Sequence, residues 1–226
     1  SIIIPVFNEV NTIEQILKKV RNQQIKNIEI IVVDDCSTDG TKKILKDKLF
    51  KEVDKIIYHK NNKGKGAAIQ SAQKFINGDF VIIQDADLEY DPIDYEQLFL
   101  PALKLNADVV FGSRFQGGGT KRILYFKNRF ANFILSLLVS IFTNINFSDV
   151  ETGYKLIKSD IFKSLKLTEK SFAIEIEIVM KLARKNLKFY EVGISYNGRT
   201  YEEGKKINFK DGLIALYKIF YYKWIN

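Results

Sequence analysis

Two aspartates separated by one residue directly follow the apolar run 80–83. The segment reads Gln84-Asp85-Ala86-Asp87-Leu88-Glu89. Open α/β sheets bind ligands beyond the carboxyl ends of their strands, where two such carboxylates can face one crevice. Oxygen ligands with open coordination positions suit Mg²⁺ or Mn²⁺ held jointly with substrate phosphates. A lone Asp-x-Asp also occurs in turns and helix caps, but the strand before it and Asp91-Pro92 after it favour a metal site.

Two further groups of polar residues end apolar runs, and each could contact a ligand. The first reads Asp34-Asp35-Cys36-Ser37-Thr38-Asp39-Gly40. A carboxylate fixed there can accept hydrogen bonds from a base or a ribose. We expect Asp35 to do so, while the residues after Cys36 serve the turn and the next helix. The second group, Pro5-Val6-Phe7-Asn8-Glu9, offers an aromatic face for a base with a carboxylate beside it.

The elements that position these groups alternate short β-branched runs with helical patterns. This alternation predicts a mostly parallel sheet flanked by helices, and the continuously apolar runs suit strands covered on both faces. The predicted strands are 1–6, 28–34, 53–58, 79–84 and 108–112. Asn11 with Glu14 predicts a capping box for a helix that begins at Thr12. Asp91-Pro92 predicts the start of another helix, and Gly78 the end of a third.

Two other residue patterns lie close to these strand ends. Gly64-Lys65-Gly66 looks like a phosphate cradle, but no Ser or Thr follows the lysine as a P-loop requires, so it predicts a helix start. His59, the single histidine, ends a strand without a visible catalytic partner. Neither is assigned to the reaction.

The second half of the chain contains two amphipathic patterns rich in aromatic residues. A flexible glycine-rich link is expected at 114–121, and apolar residues then recur at helical spacing over 130–141. A strand–helix–helix–strand stretch is expected over 150–196, followed by an aromatic helix at 209–224 with lysines interleaved. Both amphipathic helices could lie in the plane of a membrane interface, where aromatics and lysines are favoured. The alternatives are core packing and a dimer contact.

The charge balance predicts an anionic partner. The net charge is +8, which would attract nucleic acid, anionic lipid or phosphorylated small substrates. No nucleic-acid partner is expected, because the lysines do not gather with aromatics on one strand face. The lysines between positions 42 and 51 are expected to be solvated.

The single cysteine and the apolar runs bear on where the chain works. Cys36 excludes an internal disulfide and agrees with a reducing cytosol. No apolar stretch reaches the roughly 18–20 residues of a membrane-spanning helix, and the start at Ser1 lacks the features of a secretory signal. No initiator Met is present, which leaves a trimmed anchor or an anchoring partner open. We expect a cytoplasmic protein attached peripherally to the cytoplasmic face of a membrane.

The order of the polar segments along the chain resembles that of the family-2 inverting glycosyltransferases with a GT-A fold. Within that family it resembles specifically the polyprenyl- (dolichol-) phosphate mannosyl- or glucosyltransferase branch. The resemblance runs essentially end to end. Seven segments carry it: 4–9, 33–39, 62–68, 85–89, 112–114, 149–155 and 198–206. It implies an α/β, Rossmann-like single domain over 1–226 with amphipathic interface helices in its C-terminal half. Residues 1–115 would bind the nucleotide sugar, and 116–226 would bind the acceptor and face the membrane.

The resemblance also implies roles for individual residues. Those that line the nucleotide pocket would be Pro5, Phe7, Glu9, Val33 and Asp35. Those at the diphosphate would be Asp85, Ala86 and Asp87. The implied metal ligands are Asp87 and Glu89, which with the Asp85 carboxylate make up the predicted set for Mg²⁺ or Mn²⁺. Two positions depart from the pattern, since Glu89 is often Gln in that branch and Cys36 stands where a tight-turn glycine is usual.

The acceptor decides which further groups the reaction needs. An alcohol needs a general base, and Asp149 is the strong candidate for it. A lipid monophosphate, with a second pKa of about 6, is already a dianionic nucleophile at neutral pH and needs positioning cations. The cations of the second half that could hold its phosphate are Arg114, Arg129, Arg199 and Lys205. Arg129 and Arg199 rank first, because a planar guanidinium matches phosphate oxygens. Asp149 would then be an orienting group, and the expected catalytic residues are Asp87, Asp149 and Arg129.

The predicted reaction is metal-dependent transfer of a sugar from a GDP-mannose or UDP-glucose type donor to a polyprenyl or dolichyl phosphate. Three alternatives stay open: a saccharide hydroxyl as acceptor, a nucleotidyltransferase, and a non-catalytic nucleotide-sugar sensor. The glycine- and arginine-rich opening of a nucleotidyltransferase is absent after Pro5. The intact acidic segment 85–89 argues against a sensor. A homo-oligomer is a further possible assembly.

Overall fold

A computed structural model describes residues 1–123, 125–206 and 208–225. Its strands are β1 (Ile2–Val6), β2 (Ile30–Asp34), β3 (Lys55–Tyr58), β4 (Phe80–Ile83), β5 (Val109–Ser113), β6 (Lys155–Lys158) and β7 (Phe189–Gly193). They form one seven-stranded sheet in the order β3-β2-β1-β4-β6-β5-β7. Only β6 runs antiparallel to its neighbours within this sheet. The predicted mostly parallel α/β architecture is therefore confirmed.

The central strands are apolar because both faces of the sheet are covered. Every residue of β2 is buried, and Ile3 of β1 lies between Ile31 of β2 and Ile83 of β4 in register. The carboxyl ends of these three parallel strands therefore share one edge of the sheet. That register brings together the polar segments that follow β1, β2 and β4.

Helices cover the two faces of the sheet. They are α1 (Ile13–Arg21), α2 (Thr41–Asp47), α3 (Lys65–Gln73), α4 (Tyr95–Lys104), α5 (Phe126–Thr143), α6 (Ser159–Ser164), α7 (Ile174–Leu182) and α8 (Phe209–Trp224). Buried side chains of α1, α2 and α4 form the apolar core on one face. Those of α3 and α5 to α8 form the core on the other. The predicted stretch 150–196 and the predicted helix 209–224 are confirmed.

The start of α1 differs from the expected capping box. Thr12 is the N-cap residue and makes no side-chain capping bond. Glu14 instead pairs with Lys18 at 2.7 Å and Lys48 at 2.6 Å. The prediction that Asn11 and Glu14 cap this helix was wrong, because two nearby lysines compete for the Glu14 carboxylate. The predicted cap at Asp91 is correct, since its side chain accepts a hydrogen bond from the Ile93 amide.

Two glycine predictions also need correction. The helix before Gly78 ends at Gln73, and a Cβ on Gly78 would lie 2.8 Å from the Ser1 nitrogen. Gly78 therefore permits a close chain approach and does not stop the helix. The 114–121 link is packed where flexibility was expected, because a Cβ on Gly119 would lie 2.2 Å from the Ile194 carbonyl carbon.

The amphipathic helix α5 turns its small polar side toward the protein. Asn132 and Ser136 are buried, while Phe130 and Ile141 are 54% and 63% exposed. Helix α8 packs beside it, with the Phe142 and Phe220 rings 5.3 Å apart. Core packing is therefore excluded for Phe130 and Ile141, whereas Leu138 of the same stripe packs against the core. Over the described ranges, no helix is both long and apolar enough to cross a bilayer.

Candidate active site

Three carboxylates from two strand ends converge on one arginine. Arg199 Nη2 lies 2.9 Å from Asp87 Oδ2 and 3.3 Å from Glu9 Oε1. Its Nε lies 3.6 Å from Glu89 Oε1, and its backbone amide donates to the same oxygen at 2.8 Å. Glu9, Asp87 and Glu89 are called the acidic crevice below. Resemblance placed Glu9 at the nucleotide and Asp87 and Glu89 at the metal, and the structure brings all three together.

Two unusual turns aim these carboxylates into the crevice. Asn8 has φ +54°, and its side chain accepts a hydrogen bond from the Thr38 amide at 2.8 Å. Leu88 has φ +63°, a conformation that costs energy for a residue with a large side chain. The Glu89 amide donates to Asp87 Oδ1 at 3.1 Å across this turn. Backbone strain at Leu88 therefore accompanies the placement of Asp87 and Glu89.

The segment 199–206 lies across the acidic crevice and supplies a second cation. Lys206 Nζ donates to Glu9 Oε1 at 2.7 Å and to the Phe7 carbonyl at 2.6 Å. The second Glu9 oxygen accepts from the Thr12 hydroxyl at 2.7 Å. The crevice thus balances three carboxylates against Arg199 and Lys206 without a ligand.

Burial and neighbouring charges raise the pKa of the Asp87 carboxyl group. Burial is the main cause that raises the pKa of Asp87 to about 7, and the charges of Asp85 and Glu89 raise it further. The Arg199 guanidinium opposes this rise. A second cation beside Asp87 would favour its ionised form.

A divalent cation fits this crevice when a phosphate completes its coordination. Over the described ranges, no three His, Cys, Asp or Glu side chains are arranged to hold a metal by themselves. Asp87 and Glu89 nonetheless already converge on a cation, and Mg²⁺ is commonly bound by one or two carboxylates with substrate phosphates. Asp87 and Glu89 are the residues that would hold the ion. The full predicted set with Asp85 stays a prediction.

Asp85 faces a different cation. Lys65 Nζ lies 2.7 Å from Asp85 Oδ1 and 3.0 Å from Glu175 Oε1. These two carboxylates raise the pKa of Lys65 despite its burial. A Cβ on Gly153 would lie 2.9 Å from Asp85 Oδ2. Sequence reasoning missed Lys65 and Glu175, although the Gly-Lys-Gly spacing marked the position of the lysine.

The Asp35 carboxylate is already engaged by the protein. It accepts from the Lys63 amide at 2.9 Å, from the Gly64 amide at 2.7 Å, and contacts His59 Nδ1 at 2.6 Å. His59 Nε2 in turn lies 2.9 Å from the Ser71 hydroxyl. His59 therefore has partners that the sequence did not reveal, and the ligand role of Asp35 stays a prediction.

Other predicted pocket residues differ in accessibility. Pro5 and Phe7 are partly exposed at the end of β1, whereas Val33 and Ala86 are buried. The Val33 side chain packs into the core, so only its backbone could line a pocket. Cys36 has φ +64°, so the tight turn is present although the residue is not glycine.

Asp149 is held by a bidentate ion pair. Its Oδ2 accepts from Arg114 Nε at 2.7 Å and from the Arg114 amide at 3.0 Å, and its Oδ1 accepts from Nη2 at 2.7 Å. The Asp149 side chain is fully buried, and its charge raises the pKa of Arg114 against the effect of burial. Both oxygens accept hydrogen bonds from Arg114 and the side chain is fully buried, which suits an orienting group.

Arg129 and Lys205 lie outside the acidic crevice. Arg129 is exposed, and its guanidinium lies 5.9 Å from the centre of the Phe115 ring. The Arg114 guanidinium lies 5.6 Å from the centre of the same ring. Lys205 lies 5.6 Å from the Tyr125 ring, and burial lowers its pKa. Arg129 also lines a groove of about 330 Å³. The groove is lined by Phe115, Arg129, Asn132, Phe133, Ser136, Leu137, Ser140, Asn146, Phe147 and Ser148.

Glu151, two residues after Asp149, is a partly buried residue that sequence reasoning did not single out. Its Oε1 is enclosed without a hydrogen-bond partner. Burial first, and then the charge of Glu175, raises its pKa from 4.5 to about 7, against the attraction of Lys155 and Arg114. The folded protein therefore binds this proton more tightly than the unfolded chain does.

Because of that proton, stability should fall as pH rises from 4.5 to 7. Glu151→Gln resembles the protonated carboxyl, so at pH 8 it should raise the free energy of unfolding by roughly 3 kcal/mol. The gain should vanish near pH 4.5. Urea unfolding at both pH values measures it, with the exposed Glu96→Gln as control. An equal gain at both pH values would contradict the assignment.

A mostly parallel sheet with an acidic crevice beyond its strand ends is the architecture expected of a GT-A glycosyltransferase. The family model "Glycosyl transferase family 2" matches residues 1–166. The chain therefore belongs to glycosyltransferase family 2, and it is a glycosyltransferase. This agrees with the family resemblance of the sequence.

Three curated relatives differ in how far they extend. "Uncharacterized protein MJ0544" of Methanocaldococcus jannaschii is 33% identical over 91% of the chain and 93% of its own length. "Glycosyltransferase AglJ" of Haloferax volcanii is 28% identical over 88% of the chain and 63% of its length. "Dolichol-phosphate mannosyltransferase" of Pyrococcus furiosus is 28% identical over 91% of the chain and 58% of its own length. The chain thus spans less than two thirds of the last two proteins.

A solved structure shares the fold. Glucosyl-3-phosphoglycerate synthase from Mycobacterium tuberculosis, in complex with Mn²⁺, UDP-glucose and phosphoglyceric acid, gives a TM-score of 0.75 at 16% identity. The match covers 100% of this chain and 79% of that one. This likeness confirms the predicted GT-A fold.

Proposed function

We propose that the chain transfers a sugar, with inversion, from a nucleoside-diphosphate sugar to a polyprenyl or dolichyl phosphate at a membrane surface. Residues 1–115 would hold the donor and 116–226 the acceptor. One observation carries the proposal: α5 combines an exposed apolar face with the cation Arg129, and α8 packs beside that helix with exposed aromatic residues of its own. A lipid phosphate needs both features in one place.

The acidic crevice would serve the donor. When bound at Asp87 and Glu89, Mg²⁺ or Mn²⁺ would stabilise the charge that develops on the departing diphosphate. Arg199 already spans the crevice and would exchange carboxylate oxygens for phosphate oxygens, which accept bidentate bonds equally well. The chain's own groups thus bind and orient the leaving group.

The acceptor side combines charge with an apolar surface. Segments 116–143 and 205–224 contain nine Lys and Arg residues and one acidic residue, Asp211. Each lysine near an anionic leaflet contributes about 1 kcal/mol of attraction. The groove that Arg129 lines has the apolar walls Phe133, Leu137 and Phe147. This arrangement suits a phosphate at Arg129 with a hydrocarbon chain below it.

The state of Asp149 favours a phosphate over an alcohol as acceptor. A general base must have an oxygen within reach of the proton that it removes, and the Asp149 side chain is fully buried. Both Asp149 oxygens accept hydrogen bonds from Arg114, and a dianionic phosphate requires no base. The relative from Pyrococcus furiosus, named a dolichol-phosphate mannosyltransferase, supports the same acceptor class.

The acceptor can be tested directly. The protein with Mn²⁺ and either GDP-mannose or UDP-glucose should glycosylate polyprenyl phosphate in detergent. An oligosaccharide acceptor should give no product above background. Product on the oligosaccharide alone would replace the lipid acceptor with a saccharide hydroxyl.

Membrane attachment makes a separate prediction. Burying one Phe side chain is worth about 1.5–3 kcal/mol, so Phe130→Ser should weaken binding to vesicles containing anionic lipid by tenfold or more. Leu103→Ser provides the control, because Leu103 is also exposed, at 73% against 54% for Phe130, but lies on α4, on the other face of the sheet. Co-sedimentation measures both variants. Equal binding by the two would refute attachment through α5.

A further inference from the structure

The two glycines of the Gly64-Lys65-Gly66 segment allow a close contact between two parts of the chain. A Cβ on Gly64 would lie 2.4 Å from the Lys170 carbonyl oxygen, and one on Gly66 would lie 2.1 Å from that of Glu169. The Gly66 amide donates to the Lys170 carbonyl at 2.8 Å. Both glycines therefore dock the start of α3 against the turn that precedes α7. This docking fixes the position of Lys65 between them.

Lys65 joins two carboxylates that are far apart in the sequence. Its Nζ lies 2.7 Å and 3.0 Å from the two Asp85 oxygens and 3.0 Å from Glu175 Oε1 on α7. The Lys65 side chain is only 13% exposed. All three are ion-pair contacts, and the one to Asp85 Oδ2 is also a hydrogen bond.

Glu175, the second partner of Lys65, forms an ion pair with a fully buried lysine. The other Glu175 oxygen, Oε2, accepts from Lys155 Nζ at 2.6 Å, and Lys155 also donates to the Thr152 carbonyl. The Lys155 side chain is fully buried on β6. Asp85, Lys65, Glu175 and Lys155 thus form a chain of alternating charges with no net charge. A buried chain of this kind fixes the orientation of each member, because breaking one contact leaves an unpaired charge.

We propose that Lys65 is a positioning residue for sugar transfer, which holds and neutralises the Asp85 carboxylate beside the donor diphosphate. This inference rests on the proposed function. With Asp85 engaged by Lys65, the negative charge that meets the diphosphate and its metal ion is confined to Asp87 and Glu89. Without Lys65, the freed Asp85 charge would repel the diphosphate.

The test measures the affinity for UDP and GDP with Mn²⁺ by calorimetry. Lys65→Met should weaken binding of the nucleotide that the wild type prefers by at least tenfold, and the KM for the donor should rise more than kcat falls. Lys65→Arg should retain most of the affinity, because a guanidinium can still bridge both carboxylates. Lys74→Met, on the exposed end of the same helix, makes the same charge change and should bind like the wild type.

A double variant separates positioning from a general loss of structure. If Lys65 acts through Asp85, the loss of affinity in Lys65→Met with Asp85→Asn should be smaller than the sum of the two single losses. Additive losses, or unchanged binding by folded Lys65→Met, would overturn the inference alone. Failure of the wild type to bind either nucleotide would overturn the proposed function together with this inference.

Discussion

Replacing Asp87 with Asn is expected to lower sugar transfer at least about a thousandfold, with little change in stability. Asp87 is the carboxylate on which Arg199 and the predicted divalent ion depend, and an amide carries no charge to hold either. Its pKa of about 7 means that the folded protein already disfavours the ionised form. Removing that charge should therefore not unfold the protein. Initial rates at saturating donor and Mn²⁺ measure the effect.

The control for Asp87 lies in the same loop. Asp91 caps the helical turn after β4 through its side chain, and Asn is an equally good capping residue. Asp91→Asn therefore makes the same chemical change outside the acidic crevice and should keep full activity. Transfer by Asp87→Asn within tenfold of the wild type, or transfer that EDTA leaves unchanged, would refute a metal-dependent crevice.

The strand ends could be predicted because their signals are local. Each strand is a short apolar run whose polar successor must lie at the sheet edge, so Glu9, Asp87 and Glu89 could be placed near one another from the sequence. The parallel register of β1 with β2 and β4 then fixes this neighbourhood. No contact between distant segments has to be known for that step.

The partners of these carboxylates could not be predicted in the same way. Arg199 was expected at an acceptor phosphate, yet it lies among the carboxylates, because the segment 199–206 folds back over the ends of β1 and β4. The pairing of Lys65 with Glu175 likewise depends on how two glycines meet a turn a hundred residues later in the chain. Such contacts depend on tertiary packing, which a single sequence does not encode in local patterns.

The amphipathic pattern of α5 was recognised, but the pattern alone did not decide which side faces the protein. Asn132 and Ser136 point inward because they have hydrogen-bond partners there. Asn132 Oδ1 lies 3.4 Å from Arg114, and the Ser136 hydroxyl accepts from the Val150 amide at 3.2 Å. The polar side of the helix thus contacts both the Asp149–Arg114 pair and the groove. Phe130 and Ile141 on its apolar side remain exposed.

Asp149→Asn should show whether Asp149 acts as the counter-ion of Arg114 or as a general base. The substitution leaves the Arg114 guanidinium, whose side chain is 16% exposed, without its counter-ion. Loss of one partner from a buried pair costs about 3–5 kcal/mol, and the partial exposure of Arg114 places the expected loss near the lower limit. Urea unfolding measures this cost. Glu203→Gln, which breaks the exposed pair with Arg122, should leave stability unchanged.

The activity of the same variant discriminates between the acceptors. With a dianionic phosphate acceptor, no proton has to be removed, so the folded Asp149→Asn enzyme should show a raised KM for polyprenyl phosphate as Arg114 loses its fixed orientation. The pH dependence of kcat should keep its shape, because no base has been lost. If Asp149 is the general base, kcat should instead fall by two or more orders of magnitude at unchanged KM. That result would assign an alcohol acceptor and overturn the lipid-phosphate proposal.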